Sequence, residues 1–193
     1  MIVVKEFPRA SELNSILYDR VCENISGGGR YGENFDAGPG MTDWDLHNKN
    51  IKEIDELTSW ISRVLPDVSK NFATKQKPRL TLHSHEDEKG YDFNVNGFKI
   101  ASCWGIHYNG NEGLWDHNHF PALLAFTYYV RIPEGSAPFM LEGESHNVEE
   151  GQCIFFLASQ YHSMIQNDNI DGRCAIVGNI IYNDYIHFGG YGV

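Results

Sequence analysis

Beyond about residue 79 the apolar residues change their period, and that change limits what the chain can fold into. The stretches 91–108 (YDFNVNGFKIASCWGIHY), 122–132 (ALLAFTYYVRI), 152–158 (QCIFFLA), 161–166 and 173–182 (RCAIVGNIIY) are short and rich in β-branched and aromatic residues. They are parted by Gly, Pro, Asn and Asp, as strands are. Asn96-Gly97 between two alternating segments is a hairpin signal. Strands at this spacing, with no helical segments between them, predict a sandwich or barrel rather than a parallel βαβ sheet.

The preceding third reads differently. Residues 11–24 put Leu13, Ile16, Leu17, Tyr18 and Val21 on one helical face, behind Ser11 as cap. Gly27-Gly28-Gly29 ends that segment, and a turn-rich loop runs on to Gly40. Residues 51–65 repeat the helical pattern with Ile51, Ile54, Leu57, Ile61 and Leu65, and Pro66 reads as the stop. The expectation is a mainly β fold with N-terminal helices. One domain spans residues 1–193, with 1–75 as a mainly helical cover on one outer face of a β core over 76–193.

Charge narrows the function classes. The chain carries 15 basic and 26 acidic residues, a formal net charge of −11, which repels a phosphate backbone. The strongest basic cluster, Lys75 to Arg79, holds three cations and reads as a solvated loop, so no nucleic-acid partner is expected. Cys22, Cys103, Cys153 and Cys174 form no CxxC pair, and the last three sit in apolar strand-like runs as small hydrophobes. Neither an export signal nor a bilayer-spanning apolar run is visible. A reducing cytoplasm, away from membranes, is the expected setting.

The chemistry concentrates in WDHNHFPALLAFTYYV, residues 115–130. In a strand, residues i and i+2 share a face, so His117 and His119 project together while Asp116 and Asn118 point away. Two converging imidazoles suit iron, zinc or copper. His162, after a glycine turn and an apolar strand, is the candidate third ligand. Eleven residues on, Arg173 opens another apolar strand. An arginine at the mouth of a β-barrel is costly unless an anion pairs with it, and its fork suits a carboxylate. The second H-x-H, His83-Ser84-His85, runs into Glu86-Asp87-Glu88 and reads as solvated loop. His47, His107, His146 and His187 read singly as structural or surface residues. Thr127 and Tyr129 share one strand face as hydrogen-bond donors or as core. Trp104 and Tyr108 are pocket walls or plain packing.

From Trp104 to about Asn179, this order resembles the Fe(II)/2-oxoglutarate-dependent dioxygenases. The likeness is to bacterial and phage oxygenases related to prolyl hydroxylases. It rests on Trp104, His117-Asn118-His119 followed by Pro121, the Thr127-Tyr128-Tyr129-Val130 strand ending in Ile132-Pro133, Gly151 with its apolar strand, His162, and Arg173 leading to Asn179. The resemblance implies a double-stranded β-helix, the jelly-roll or cupin-like barrel. It implies Fe(II), 2-oxoglutarate and O₂ as cofactor and co-substrates. His117 would be the first ligand, His162 the distal one, and Arg173 the partner of the co-substrate's distal carboxylate, with Tyr129 and Thr127 hydrogen-bonding it. Most of that superfamily has H-x-D, and His119 stands where the aspartate would be. His119 either completes a three-histidine face, as the H-x-H form of this group favours, or turns away and leaves a second open position. Recruiting Asp116 would require the opposite strand face.

The implied activity is hydroxylation of a substrate C–H bond coupled to decarboxylation of 2-oxoglutarate. A cupin-type metal protein is the nearest alternative. The glutamate such proteins carry three or four residues beyond the histidine pair is absent from Phe120-Pro121-Ala122-Leu123-Leu124. A non-enzymatic β-sandwich binding module is the second alternative. The primary substrate, a peptide side chain or a metabolite, is not legible.

Overall fold

A computed structural model of the chain describes residues 1–28, 38–73, 97–110, 112–165 and 172–182. The readings on Lys75 to Arg79, His83-Ser84-His85, the acidic run after it, the Asn96 side of the hairpin and His187 lie outside the described residues. The elements run β1 (Val3–Glu6), α1 (Ala10–Glu23), β2 (Ile25–Gly28), β3 (Gly40–Thr42), α2 (Lys52–Ala73), β4 (Phe98–Tyr108), β5 (Leu114–His117), β6 (Leu124–Arg131), β7 (Phe139–Leu141), β8 (Glu144–His146), β9 (Gln152–Leu157), β10 (His162–Met164) and β11 (Arg173–Tyr182), with a 3₁₀ turn at Leu46–Asn48.

Two sheets form, both antiparallel throughout. The larger has the order β1-β9-β6-β11-β4-β3-β2 and the smaller β5-β10-β7-β8. The expected strands over 98–108 and 173–182 are present at those limits, and those over 122–132, 152–158 and 161–166 are present with shorter ones. Four- and three-residue strands carry too little periodicity to be read in advance. Thus β1, β2 and β3, from the mainly helical first part of the chain, join the large sheet unannounced, and β7 and β8 complete the small one.

Period-two alternation on the large sheet separates two cores. Leu124, Phe126, Tyr128 and Val130 of β6, Cys153 and Phe155 of β9, and Cys174, Ile176 and Ile180 of β11 pack under the helices. Ala125 and Tyr129, Ile154 and Phe156, and Ala175 and Val177 face the other way, towards the small sheet. Trp104, Ile106 and Tyr108 of β4 join them. The second face is the one that carries the site. Gly178 of β11 is a point of close approach: a Cβ there would lie 2.5 Å from both the Phe126 ring and the Ser102 carbonyl oxygen. All four cysteines are free, and Cys103, Cys153 and Cys174 are buried.

Both helices cover the outer face as expected, but their ends differ from the sequence reading. Ser11 does not cap α1. The helix begins at Ala10 behind Arg9, without a side-chain cap, and the Arg9 guanidinium instead pairs with Glu12 one turn on, at 2.8 Å. Leu13, Leu17 and Val21 form its buried stripe. Pro66 does not end α2, which runs on to Ala73. The buried face of Ile54, Leu57, Ile61 and Leu65 continues beyond the proline as Val68 and Phe72. Burying two such side chains contributes roughly 1.5–3 kcal/mol each, enough to offset the ~3 kcal/mol cost of an interior proline. No described helix is long and apolar enough to cross a membrane.

Candidate metal centre

His162 opens β10 and lies opposite His117, the last residue of β5. The next pair is Met164 with Leu114, so the ladder is irregular between the two: Trp115 and Asp116 together face Ser163. That bulge lets Leu114 and His117 both turn inward while Trp115, 70% exposed, and Asp116 turn out. The H-x-H is therefore not a strand pair, contrary to the alternation argument. His119 lies two residues beyond β5, where its N–H donates to the Ala158 carbonyl at 2.7 Å and its own carbonyl accepts from Ala122 at 3.0 Å. The convergence expected from spacing is reached by a bulge and a tied-down turn. Asp116, outward and exposed, stays out of the group.

One ring nitrogen from each of His117, His119 and His162 falls within 4.8 Å of the others. His119 Nε2 lies 3.2 Å from His162 Nε2. His117 Nδ1 lies 2.7 Å from the Trp115 carbonyl, and His162 Nδ1 lies 3.3 Å from the Gln160 carbonyl. A carbonyl only accepts, so each Nδ1 carries a proton, which leaves Nε2 as the nitrogen that would serve a ligand. His162 packs against both the Phe139 and Phe156 rings, which also touch each other, and Trp104 sits 5.6 Å from the His119 ring. No carboxylate joins the three histidines among the described residues. His107 hydrogen-bonds Tyr18 under α1 instead, and His47 and His146 are not in the group.

Burial, reinforced by the neighbouring imidazoles, pushes His162 down to about 3 and His119 down to about 4. Both are neutral at pH 7, the form a metal requires. An unfolded histidine titrates near 6.5, so between that value and pH 3–4 the unfolded chain takes up protons that the fold refuses. Stability is therefore complete above about pH 6.5 and falls as pH drops. Melting temperatures of the metal-free protein should decline from pH 6.5 to 4.5, with a loss on the order of 3 kcal/mol. His162→Phe should flatten that decline.

Arg173, the first residue of β11, lies opposite Tyr108 on β4 and is fully buried. Its Nη1 donates to the Ala137 carbonyl, but among the described residues Nε and Nη2 have no hydrogen-bond partner, nor has the Tyr129 hydroxyl. The guanidinium carbon stands 5.8 Å from the Tyr129 ring centre. Burial lowers the Arg173 pKa, while Tyr129 and Tyr108 pull it back up; a guanidinium nonetheless stays charged. Burial likewise raises Tyr129 against the pull of Arg173. Among the described residues no carboxylate pairs with this cation.

The sheet register arranges these groups in a slot. Val177 lies between Trp104 and Thr127, and Ala175 between Ile106 and Tyr129. The histidine end is thus the Trp104–Val177–Thr127 row, and the arginine end is four residues away, about 13 Å along a strand. The small Ala175 floors the space between. His117, His119, His162, Arg173, Tyr129, Thr127, Trp104 and Tyr108 all line this one cavity. Sequence reasoning missed Trp44, 54% exposed, which stacks on Trp104 at 4.9 Å and 16°. A tryptophan in a turn-rich segment carries no local signal for such a contact.

No family model matches the chain, and no curated protein matches it in sequence. Solved structures do match. A prolyl-4-hydroxylase from Pseudomonas putida superposes with a TM-score of 0.62 at 12% identity, covering 94% of this chain and 92% of that one. The non-heme α-ketoglutarate-dependent carbocyclase SnoK of nogalamycin biosynthesis gives 0.65 at 11%, covering 94% and 79%. The fold is that of the 2-oxoglutarate/Fe(II) oxygenases. A prolyl hydroxylase from Trichoplax adhaerens, in complex with a hypoxia-inducible-factor peptide fragment, gives 0.57 at 10%, covering 99% and 87%. At these identities the likeness establishes the architecture, and it bears out the double-stranded β-helix that the resemblance implied.

Proposed function

We propose that this chain is an Fe(II)/2-oxoglutarate-dependent oxygenase that hydroxylates a substrate C–H bond. The observation that carries the reading is a fully buried Arg173, with no carboxylate partner among the described residues, in the same cavity as three converging imidazoles. A lone buried cation costs several kcal/mol, and a carboxylate guest removes that cost. The donor set fits a divalent first-row metal, since three converging imidazole nitrogens leave positions open for a bidentate ligand and for O₂.

In this reading His117, His119 and His162 hold Fe(II), and Arg173 holds the distal carboxylate of 2-oxoglutarate with Tyr129 and Thr127 alongside. Bound Fe(II) supplies the chemistry that turns 2-oxoglutarate, O₂ and a C–H bond into succinate, CO₂ and C–OH. The protein's own contribution is positional. The Trp115 and Gln160 carbonyls hold two imidazoles in one tautomer. The slot past Ala175 sets the distance between the arginine fork and the metal, and Trp104 and Tyr108 wall the site from water. His119 in place of an aspartate leaves the donor set neutral.

Anaerobic addition of Fe(II) and then 2-oxoglutarate to the metal-free protein tests the reading. The expected result is a weak visible charge-transfer band that saturates with the 2-oxo acid. Iron binding without a band would favour a cupin-type metal protein, and no iron binding would end the enzyme assignment.

A further inference from the structure

Trp44 is half exposed, yet its segment is fixed by the main chain. Its carbonyl accepts the Cys103 N–H at 2.9 Å, and Asp45 next to it bridges Cys103 in parallel. Its ring lies flat on Trp104, which is 2% exposed and packs against His119. Trp44 does not itself line the cavity but stacks on Trp104, which does. The Trp104 Nε1 behind it, in the cavity wall, is buried without a hydrogen-bond partner among the described residues. Holding an indole rigid in solvent leaves a π-face open to a ligand.

Charge selects the ligand. Asp43 and Asp45 flank Trp44, and all three are exposed. Asp43 is engaged by Lys49 at 2.8 Å and Ser26 at 2.7 Å, whereas Asp45 is in no ion pair among the described residues. An exposed indole with a carboxylate on either side of it in the chain favours a cation, and a chain of net charge −11 draws cations to its surface.

We infer that the exposed face of Trp44, with Asp45, binds an ammonium or guanidinium group of the primary substrate, while the carbon chain bearing it enters the cavity. Only the word "substrate" rests on the oxygenase reading; the cation site stands on its own contacts.

The test uses the full chain, metal-free and Zn(II)-loaded, and three probes: N-acetyl-arginine methylamide, its neutral norleucine counterpart, and a short peptide containing the same arginine. The readouts are the Trp44 indole N–H resonance, assigned by its loss in Trp44→Phe, and the dissociation constant. Both arginine probes should shift that resonance and the norleucine probe should not. Trp44→Leu should weaken binding about tenfold, Trp44→Phe less, and Asp45→Asn severalfold. Equal affinity for the two arginine probes identifies a small amine as the source; tighter peptide binding identifies a polypeptide. Equal binding of the neutral probe, no Trp44 shift at millimolar probe, or unchanged affinity in a folded Trp44→Leu protein overturns the inference. If cation binding holds but the Fe(II)/2-oxoglutarate band is missing, the oxygenase reading alone has failed.

Discussion

Arg173→Met is expected to raise the melting temperature of the protein alone and to abolish its stabilisation by 2-oxoglutarate. The two effects have one cause. The guanidinium is fully buried, donates one hydrogen bond to Ala137, and leaves Nε and Nη2 unsatisfied among the described residues. Exchanging a buried charge for a hydrophobe of similar volume is often neutral or stabilising, by about 1–4 kcal/mol, which is several degrees in a domain of this size. The wild type should recover that deficit only when the anion arrives; at 100 times the dissociation constant, a ligand adds about 2.7 kcal/mol. Thermal melts with and without 2-oxoglutarate read both terms. Arg173→Lys should keep part of the ligand shift, because a point charge replaces the fork. A melting temperature that falls in Arg173→Met, with the ligand shift intact, would make the arginine a structural residue and remove the main support for the co-substrate.

His162→Ala should eliminate the Fe(II)/2-oxoglutarate band, while His119→Asp should retain it. His162 is the most deeply held of the three, paired in register with His117 and packed against two phenylalanines. Losing its Nε2 leaves two donors, and iron affinity should drop by more than the roughly 10–100-fold that changes around a ligand set cost. Aspartate at 119 restores a donor on the same tied-down segment and adds a negative charge, so Fe(II) should bind at least as tightly. His119→Ala separates the two states left open by the sequence: a large loss of iron affinity makes His119 a ligand, and none makes it a neighbour. Calorimetric titration with Fe(II) under argon, alongside the band, measures both.

The sequence reading and the structure agree where one residue type at one spacing has one physical consequence. The strands β4, β6, β9 and β11 are long enough for alternation to be read, and their inner-face residues Trp104, Tyr108, Thr127, Tyr129 and Arg173 all reach the cavity. They part company where a local rule meets a tertiary one. Pro66 is a helix stop in isolation, but Val68 and Phe72 gain more from burial than the proline costs. Ser11 is a good cap by type, but α1 starts two residues earlier than that cap would set, behind Arg9. The histidine pair was argued from strand geometry, and it converges although His119 is outside the strand.

The linear chain thus determined the fold class, the three imidazoles and the arginine, because hydrophobic period and side-chain chemistry are properties of the residues themselves. Tertiary structure decided how they meet. A bulge in β5 turns His117 inward and Asp116 outward, a carbonyl pairing holds His119, and the register of β11 against β4 and β6 spaces Arg173 from the histidines. It also brought Trp44, some sixty residues before Trp104, onto that ring. Contacts of that kind depend on which strands become neighbours, and no local pattern in the chain encodes them.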